Sequence, residues 1–272
     1  MPEAAEVTVA ARQLGDVLTG RRLRGISVTH PRTTRSQPVG ELHGFAGAVL
    51  GGVRRHGKWI VVGVDDVVAE LGIHLRMSGQ LLVRSPSDVP GDRHVHAVFD
   101  LGEQAVWFRD PRTFGELRVL HGGAPVAADL FDPSVTAERY LEHCRRRHVG
   151  VKAILLDQLG VASGIGSYLA DEALHRAGIS PVRPANTLGL DAWQRILDAV
   201  RAITEASTDA GGVTLADEGW VDLRGRPGRY ADRLRVHARP RCATCATNTR
   251  SAVVGGRSAR WCPRCQHPNR RT

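Results

Sequence analysis

The sequence lacks any long apolar run, and this absence excludes integral membrane proteins of the helical kind. No stretch of the 272 residues approaches the roughly 20 consecutive apolar residues that a membrane-spanning helix requires. The N-terminus also lacks positive charge, because Met1–Val7 carries acids where a secretory signal carries basic residues. We therefore expect a cytoplasmic protein with no membrane partner.

Lysine is nearly absent, since only two of the 37 basic residues are lysine and the others are arginine. Arginine excess alone is consistent with a genomic bias. With 42% hydrophobic and 24% charged residues, the chain can bury a core, which excludes a disordered protein. Its length fits one large domain or two to three small ones.

The positive charge is concentrated near one end of the chain. Residues 221–272 contain 13 arginines and two acids, which gives 13 − 2 = +11. Because the whole chain carries +9, the other 220 residues carry 9 − 11 = −2. A solvated arginine-rich tail would explain this, but we favour a footprint for nucleic-acid phosphates, since the charge surrounds a predicted metal module.

That module is predicted from the cysteines. Five is an odd number, and four of them form the pattern Cys242-x2-Cys245-x16-Cys262-x2-Cys265. This spacing is typical of a tetrahedral zinc site in which protein fills all four positions, so we expect one structural Zn²⁺. Buried or redox cysteines are the alternative. Cys144 lies outside the pattern and is most simply a buried helix residue.

Hydrophobic periodicity divides the rest of the chain. Residues 3–19 are predicted as a helix, and residues 23–120 as short strands of a sandwich or barrel. Within the second region, strands are predicted over 60–64, 80–83, 95–99 and 105–108. Further helices are predicted over 135–148, 151–159, 167–177 and 190–207.

The first residues can carry chemistry. If Met1 is removed, Pro2 becomes a free secondary amine, and an α-amino group has a pKa of about 8, so part of it is unprotonated near neutral pH. Such an amine can form a Schiff base with carbonyl carbon, and Glu3 could transfer protons there. The alternative is ordinary helix-start chemistry, which favours proline and glutamate at these positions.

Several ordered motifs across the chain then resemble one family, formamidopyrimidine-DNA glycosylase (Fpg or MutM), together with its relative endonuclease VIII. The zinc pattern closes the chain where the family has it. The other motifs are Met1-Pro-Glu…Glu6-Val7, Arg55-His-Gly-Lys58-Trp, His74-Leu-Arg-Met-Ser-Gly79, Asp110-Pro-Arg-Thr-Phe-Gly115 and Lys152…Gly164-Ile-Gly166…Glu172.

The resemblance implies an α+β multidomain fold. An N-terminal helix plus β-sandwich is followed by a helical helix-two-turns-helix domain and a C-terminal zinc ribbon. The expected divisions are a catalytic domain over 1–121, a linker over 122–134, the helical DNA-binding domain over 135–218, a lesion-capping loop region over 219–234 and the zinc finger over 235–272.

The resemblance also implies a bifunctional DNA glycosylase and AP lyase of base excision repair. Pro2 would attack C1′ of the damaged nucleotide and form a Schiff base, while Glu3 would act in proton transfer. Lys58 would assist β-elimination and Arg257 δ-elimination, which leaves a one-nucleotide gap. The loop that runs from Gly211 to Tyr230 resembles the Fpg branch more than endonuclease VIII, which favours oxidised purines such as 8-oxoguanine.

The expected partner is damaged double-stranded DNA, from which the nucleotide must be flipped out. Met77, Arg112 and Phe114 match residues that fill the vacated space, although core packing is the usual role of Met and Phe. Both lysines fall in motifs that meet DNA or the active site, although Lys58 could be a surface strand residue. The predicted phosphate contacts are His94, Arg147, Lys152, Gly166 and Ser167.

The chain departs from the family pattern at several positions. Ala4-Ala5 replace Leu-Pro, Thr8 replaces a common acid, and Thr113 replaces a basic residue. Ser167 stands where the family has an asparagine, and a hydroxyl has a shorter reach than an amide. The segment 159–163 is about one residue longer than usual. These departures concern substrate range and affinity more than the chemistry.

Two other functions stay open at this point. An endonuclease VIII-like enzyme would prefer oxidised pyrimidines, and a non-catalytic protein would bind damaged DNA without nicking it. In each case we expect a monomer that meets its substrate at the nucleoid. No organic cofactor is expected.

Overall fold

The computed structural model of the chain describes residues 1–35, 37–85, 87–88, 91–215 and 219–266. The chain forms two compact units. Met1–Pro125 and Thr208–Arg229 make up the first unit, and Val126–Ser207 and the described part of Tyr230–Thr272 make up the second. The predicted divisions after residues 121, 134, 218 and 234 stay predictions.

The first unit begins with helix α1 (Ala4–Leu18), which confirms the helix predicted over 3–19. Its apolar face, including Val7 and Leu14, is buried. The helix ends where Thr19 takes a ψ of 126°, and Gly20 follows with a φ of +76°, which glycine reaches without a Cβ clash. A second, short helix, α2 (Val39–His43), follows later in this unit.

Strands fill the rest of the first unit. Their bounds are β1 (Gly25–Val28), β2 (Leu50–His56), β3 (Trp59–Val64), β4 (Glu70–His74), β5 (Gln80–Arg84), β6 (Val95–Asp100), β7 (Ala105–Arg109) and β8 (Glu116–Leu120). Among the described residues they form two four-stranded sheets, in the orders β1-β6-β7-β5 and β2-β3-β4-β8, and all pairs are antiparallel. The predicted strands are therefore confirmed.

One apolar core joins the two sheets and α1. Phe99 and Phe108 come from the first sheet, Ile60 and Leu71 from the second, and Leu14 from the helix. Both sheets thus turn an apolar face to the same core, with the alternation in and out that a sandwich requires. This confirms the predicted N-terminal helix plus β-sandwich.

Helices dominate the second unit. Their bounds are α3 (Ala137–Cys144), α4 (Val151–Leu156), α5 (Ser167–Ala177) and α6 (Leu190–Asp209), and the last enters the first unit at Thr208. Helix α5 has the bounds that the sequence predicts. Cys144 is buried at the end of α3, as expected.

Two helices are shorter than predicted. Helix α3 starts after Thr136, whose hydroxyl accepts from the N–H of Arg139, but it ends at Cys144 instead of residue 148. In the segment that follows, the carbonyl of Arg147 accepts from the backbone N–H of Asn186. Helix α4 ends at Leu156 because the backbone of Asp157 becomes extended. The carboxylate of Asp157 then accepts a hydrogen bond from the N–H of Leu159.

A β-hairpin lies near the end of the second unit, formed by β9 (Arg250–Val254) and β10 (Arg257–Trp261). Gly255 and Gly256 connect the strands with φ values of +60° and +72°. The two CxxC pairs flank this hairpin, which is the expected ribbon fold. None of the helices in the described ranges is long and apolar enough to cross a membrane.

Candidate functional site

The N-terminal residues are fixed at the start of α1. Pro2 and Glu3 are buried, whereas Met1 is 41% exposed. Glu3 is the extended N-cap residue, and its backbone N–H donates to Oε2 of Glu6 over 2.8 Å. Removal of Met1 would therefore leave the amine of Pro2 in a segment whose geometry is already set.

Glu6 is not among the site residues that the sequence predicts. Its carboxylate is 1% exposed and also accepts from the N–H of Val213 over 2.7 Å. Burial and then the charge of Glu3 raise the pKa of Glu6 to about 7. The three-residue spacing of Glu3 and Glu6 at a helix start is a capping-box signal that could have found it.

Gly212 allows the following loop to approach Glu6. Its φ is +92°, and a Cβ there would lie 2.8 Å from Cγ of Glu6 and 2.9 Å from Nε1 of Trp220. Only glycine fits such a position. One carboxylate thus joins the start of α1 to the loop over 211–229. Positions 216–218 of the loop that runs from Gly211 to Tyr230 lie outside the described residues.

Lys58 lies in the tight turn between β2 and β3, directly after Gly57, and is half-buried. Its charge acts on His74, whose ring packs edge-on against Trp59 with centroids 4.9 Å apart. Burial first, and then the charges of Arg76 and Lys58, hold the pKa of His74 well below its usual range. Because Nδ1 accepts from the N–H of Arg76, neutral His74 carries its proton on Nε2.

Glu116 gathers a cluster of guanidinium groups beside this turn. It is 1% exposed and forms ion pairs of 2.6 Å with Arg35, 2.9 Å with Arg76 and 3.1 Å with Arg118. Arg35 also donates to the carbonyl of Phe114 over 2.6 Å. Three positive charges and one negative charge leave +2 on partly exposed groups, which suits a polyanionic partner.

Asp110 connects the two loops that carry Met77 and Phe114. It is fully buried, and its carboxylate accepts from the hydroxyl of Ser78 and, over 2.6 Å, from the N–H of Gly115. Asp110 therefore holds each loop at the residue that directly follows a predicted DNA contact: Ser78 follows Met77, and Gly115 follows Phe114. Aspartate is common at the start of turns, and this signal could have identified Asp110 as a residue that holds the loops.

Met77 and Phe114 lie on loops after strands, as the sequence predicts. Phe114 is 38% exposed and Met77 is half-buried, so the core role does not hold for the aromatic ring. The guanidinium of Arg112 stands 5.0 Å from the centre of that ring. An exposed ring beside an exposed cation is able to contact bases.

His94 precedes β6 and connects to the same group of residues. Its ring Nδ1 lies 3.0 Å from a carboxylate oxygen of Asp92, and its carbonyl accepts from the N–H of Asp110 over 2.8 Å. The first unit thus contains a coherent part of the predicted site. The predicted residues found in this unit are Pro2, Glu3, Lys58, Met77, His94, Arg112 and Phe114.

In the second unit, a glycine turn leads into α5. The side chain of Gln158 donates to the carbonyl of Ile165 and accepts from the N–H of Gly164, both over 2.9 Å. The N–H of Gly164 is therefore used within the protein. Gly166 is the N-cap and Ser167 starts the helix, whose first N–H groups have no helical acceptor.

Lys152 is fully buried in α4. Its ammonium donates to a carboxylate oxygen of Asp171 over 2.7 Å, to the hydroxyl of Ser167 over 2.9 Å and to the carbonyl of Ser258 over 2.6 Å. These three bonds use all the donors of an ammonium group. A phosphate contact, which the sequence predicts, would require the ammonium to leave them.

Arg147 and Arg257 are both exposed in the second unit. Arg147 lies in the run of arginines after α3. Arg257 is the first residue of β10 and follows the glycine turn of the hairpin. Either guanidinium is therefore accessible to an anion.

The four cysteines of the two CxxC pairs come together around this hairpin. Their sulfur atoms all lie within 4.8 Å of one another, and none of the cysteines forms a disulfide. Cys242 and Cys262 are buried, while Cys245 and Cys265 are partly exposed. Four convergent thiols at this separation could hold one metal ion.

Comparison with known proteins agrees with this architecture. The family model described as the formamidopyrimidine-DNA glycosylase N-terminal domain matches residues 1–117, and that described as its H2TH domain matches residues 126–218. The formamidopyrimidine-DNA glycosylases of Salinispora arenicola and Roseiflexus sp. are each 37% identical. The alignments cover 100% and 98% of this chain and 98% and 100% of those proteins.

Solved structures show the same fold. The MutM (Fpg) protein of Thermus thermophilus matches with a TM-score of 0.86 and 29% identity, over 97% of this chain and 98% of that one. Lactococcus lactis Fpg in complex with DNA that contains an abasic site matches with a TM-score of 0.87 and 23% identity, over 98% of this chain and 100% of that one.

The fold and site define a DNA glycosylase of base excision repair, built from a β-sandwich, a helical H2TH domain and a four-cysteine ribbon. Within that class, the chain belongs to the formamidopyrimidine-DNA glycosylase family.

Proposed function

We propose that this glycosylase removes oxidised purines, such as 8-oxoguanine and formamidopyrimidines, and then cleaves the abasic strand as an AP lyase. The observation that carries the proposal is the N-terminus, where Pro2 directly precedes Glu3 and both are held at the start of α1. Removal of Met1 would leave a secondary amine beside a carboxyl group in this fixed segment, and an unprotonated amine can form a Schiff base.

The proposed reaction uses these groups in sequence. With Met1 removed, the nitrogen of Pro2 attacks C1′. The damaged base departs from C1′, and the departing base takes up a proton. The nitrogen then gives up its own proton, Glu3 transfers a proton to O4′, and the C1′–O4′ bond breaks, so that the ring opens and an iminium ion forms between the nitrogen and C1′. Loss of a proton from C2′ then expels the 3′ phosphate, assisted by Lys58. Loss of a further proton, from C4′, then expels the 5′ phosphate with the assistance of Arg257, which leaves a one-nucleotide gap.

The proposed DNA contacts come from both units. Met77, Arg112 and Phe114 fill the space that the flipped nucleotide vacates, because an exposed apolar group can enter a base step and kink the duplex. His94 and Arg147 contact phosphates with their side chains. Gly166 and Ser167 offer backbone N–H groups at the start of α5 to a further phosphate.

A structural zinc ion is proposed at Cys242, Cys245, Cys262 and Cys265. Their thiols fit it because four convergent sulfur donors are the ligands that Zn²⁺ takes in closed structural sites. The ion would supply folding free energy to the ribbon and no chemistry. We further propose a monomer that acts on nucleoid DNA in the cytoplasm, with no organic cofactor.

The test is borohydride trapping on a panel of duplexes. We expect a covalent protein–DNA adduct and strand cleavage with 8-oxoguanine opposite cytosine, both abolished in Pro2→Gly. Arg12→Gly, a change at an exposed position of α1, is the matched control and should keep both activities. Preference for thymine glycol would instead indicate the pyrimidine specificity of endonuclease VIII. Tight binding to an abasic analogue without adduct or cleavage would indicate a non-catalytic binding protein.

A further inference from the structure

The second unit contains a buried ion pair that the proposed reaction does not use. Lys152 and Asp171 have exposed fractions of 0% and 1%, and their charged atoms lie 2.7 Å apart. Removing two charges from water is expensive, so such a pair adds little net stability over an apolar pair. Its presence here therefore calls for a role other than stability alone.

The pair reaches the hairpin through its backbone. Lys152 donates to the carbonyl of Ser258 over 2.6 Å, and Asp171 accepts from the backbone N–H of Arg260 over 3.2 Å. Two alternate residues of β10 are thus bound to the helices by one lysine and one aspartate. Arg257, which is exposed, is the residue directly before the first of these contacts.

The turn of the hairpin is seated on the same helix. A Cβ at Gly255 would lie 2.9 Å from Cβ of Ala153, the residue after Lys152. The hydroxyl of Ser167 completes the arrangement, since it accepts from Lys152 and donates to the carbonyl of Ser258 over 3.2 Å. The start of β10 is therefore held against α4 and the first residue of α5.

This geometry explains why a chain so rich in arginine has a lysine here. An ammonium group is compact and directs three donors at three acceptors, which in this case belong to α5 (two) and β10 (one). A guanidinium is larger and planar, and no exposed surface exists at this position to receive its excess volume.

We propose that Lys152 and Asp171 are positioning residues that hold the start of β10, and with it Arg257, in the place needed for the second elimination step. This rests on the proposed function, in which Arg257 assists expulsion of the 5′ phosphate. Lys152 thus acts on DNA through Arg257 and the hairpin and does not itself contact a phosphate.

The experiment measures the ratio of δ- to β-elimination products on an abasic duplex. Each ratio is normalised to the adduct that borohydride traps, so that all variants are compared at the same covalent intermediate. We compare Lys152→Arg, the neutral pair Lys152→Met with Asp171→Asn, Arg257→Ala, and the combination of the neutral pair with Arg257→Ala. Circular dichroism and metal content establish which variants fold.

We expect the ratio to fall by about tenfold in the neutral pair and in Arg257→Ala, with less than about a twofold further change when the two are combined, because they act through one group. Lys152→Arg should lower the ratio as well, although it keeps the charge. A phosphate contact by Lys152 would instead be retained in Lys152→Arg.

Three results would overturn the proposal. These are an unchanged ratio in the folded neutral pair, independent effects that multiply in the combined variant, and a normal ratio in Lys152→Arg. Failure of both Lys152 variants to fold would make the pair a folding determinant and also end the proposal. Absence of any trapped adduct with the unaltered protein would be a failure of the proposed function itself, and so is distinguishable.

Discussion

The two units hold their functional residues by different means. In the first unit, Glu6 and Asp110 are buried carboxylates that accept from backbone N–H groups and a hydroxyl, and thereby fix loops. In the second unit, Asp171 is neutralised by Lys152, and four thiols converge beside the hairpin. The first arrangement therefore depends on the protonation of a carboxyl group. The second depends on a buried ion pair and on four thiols that could hold the proposed metal ion.

Each unit is therefore vulnerable at a different kind of contact. A carboxylate held mainly by neutral donors keeps a large desolvation cost, which is why the pKa of Glu6 rises. A small ribbon of hairpin and turns buries little apolar area, so we expect its fold to depend on the proposed metal ion. Single substitutions can therefore break one arrangement and leave the other intact.

The largest effect is expected from loss of the metal ion. Cys262→Ser should abolish metal binding, expose the amides of β9 and β10 to hydrogen exchange, and reduce strand cleavage by at least about 100-fold, because metal binding supplies the folding free energy of such modules. Metal analysis and exchange mass spectrometry measure this. Cys144→Ala, outside the cluster, is the control and should retain the metal. Full cleavage by metal-free protein would contradict the prediction.

The next effect is expected at Asp110. Asp110→Ala leaves the hydroxyl of Ser78 and the N–H groups of Arg112 and Gly115 without their acceptor, which should cost about 4 kcal/mol of unfolding free energy. Urea unfolding measures the cost, and binding of an abasic-analogue duplex should weaken together with it. Asp16→Ala, at an exposed position of α1, is the matched control. Equal stability of the two variants would show that Asp110 does not hold the loops.

A smaller effect should follow from the titration of Glu6. Because its folded pKa of about 7 exceeds the unfolded value near 4.5, the folded state binds the proton more tightly. Its stabilising contribution is thus complete below about pH 4.5 and is lost as pH rises to about 7, a change of about 3 kcal/mol. Glu6→Gln should flatten this part of the profile of unfolding free energy against pH. Glu41→Gln, at an exposed residue, should not, and identical profiles would refute the assignment.

The smallest effect on stability is expected at Phe114. Because its ring is exposed, Phe114→Ala should change the free energy of unfolding by less than about 0.5 kcal/mol. Affinity for an abasic-analogue duplex should nevertheless fall by about tenfold, as expected for loss of a ring that stacks on a base. Fluorescence of 2-aminopurine next to the lesion reports the change in stacking. A large loss of stability with unchanged affinity would show that the Phe114 ring packs in the apolar core and does not contact DNA.

Local sequence patterns predict which segments of this chain form helices and strands, but they predict the ends of the helices less well. The bounds of α5 follow from a glycine on each side of it, whereas the segment after α3 bonds through the carbonyl of Arg147 to Asn186, which lies far along the chain. The sequence of the helix does not predict a contact with Asn186.

The same limit applies to the site. The motif of Pro2 and Glu3 is visible in the sequence, but Glu6 owes its role to Val213, 207 residues away. Lys152 shows the converse problem, since its motif suggested a phosphate contact and its burial became evident only in the fold. Residues that meet a substrate are conspicuous in a sequence, whereas residues that hold them depend on tertiary contacts.

The most direct test of the account is to find which residue forms the covalent adduct. Borohydride-trapped protein on an 8-oxoguanine duplex is digested, and the modified peptide is identified by mass spectrometry. We predict an adduct on the nitrogen of Pro2 in protein that has lost Met1. An adduct on Lys58 or Lys152, the only lysines of the chain, or no adduct at all, would contradict the central claim.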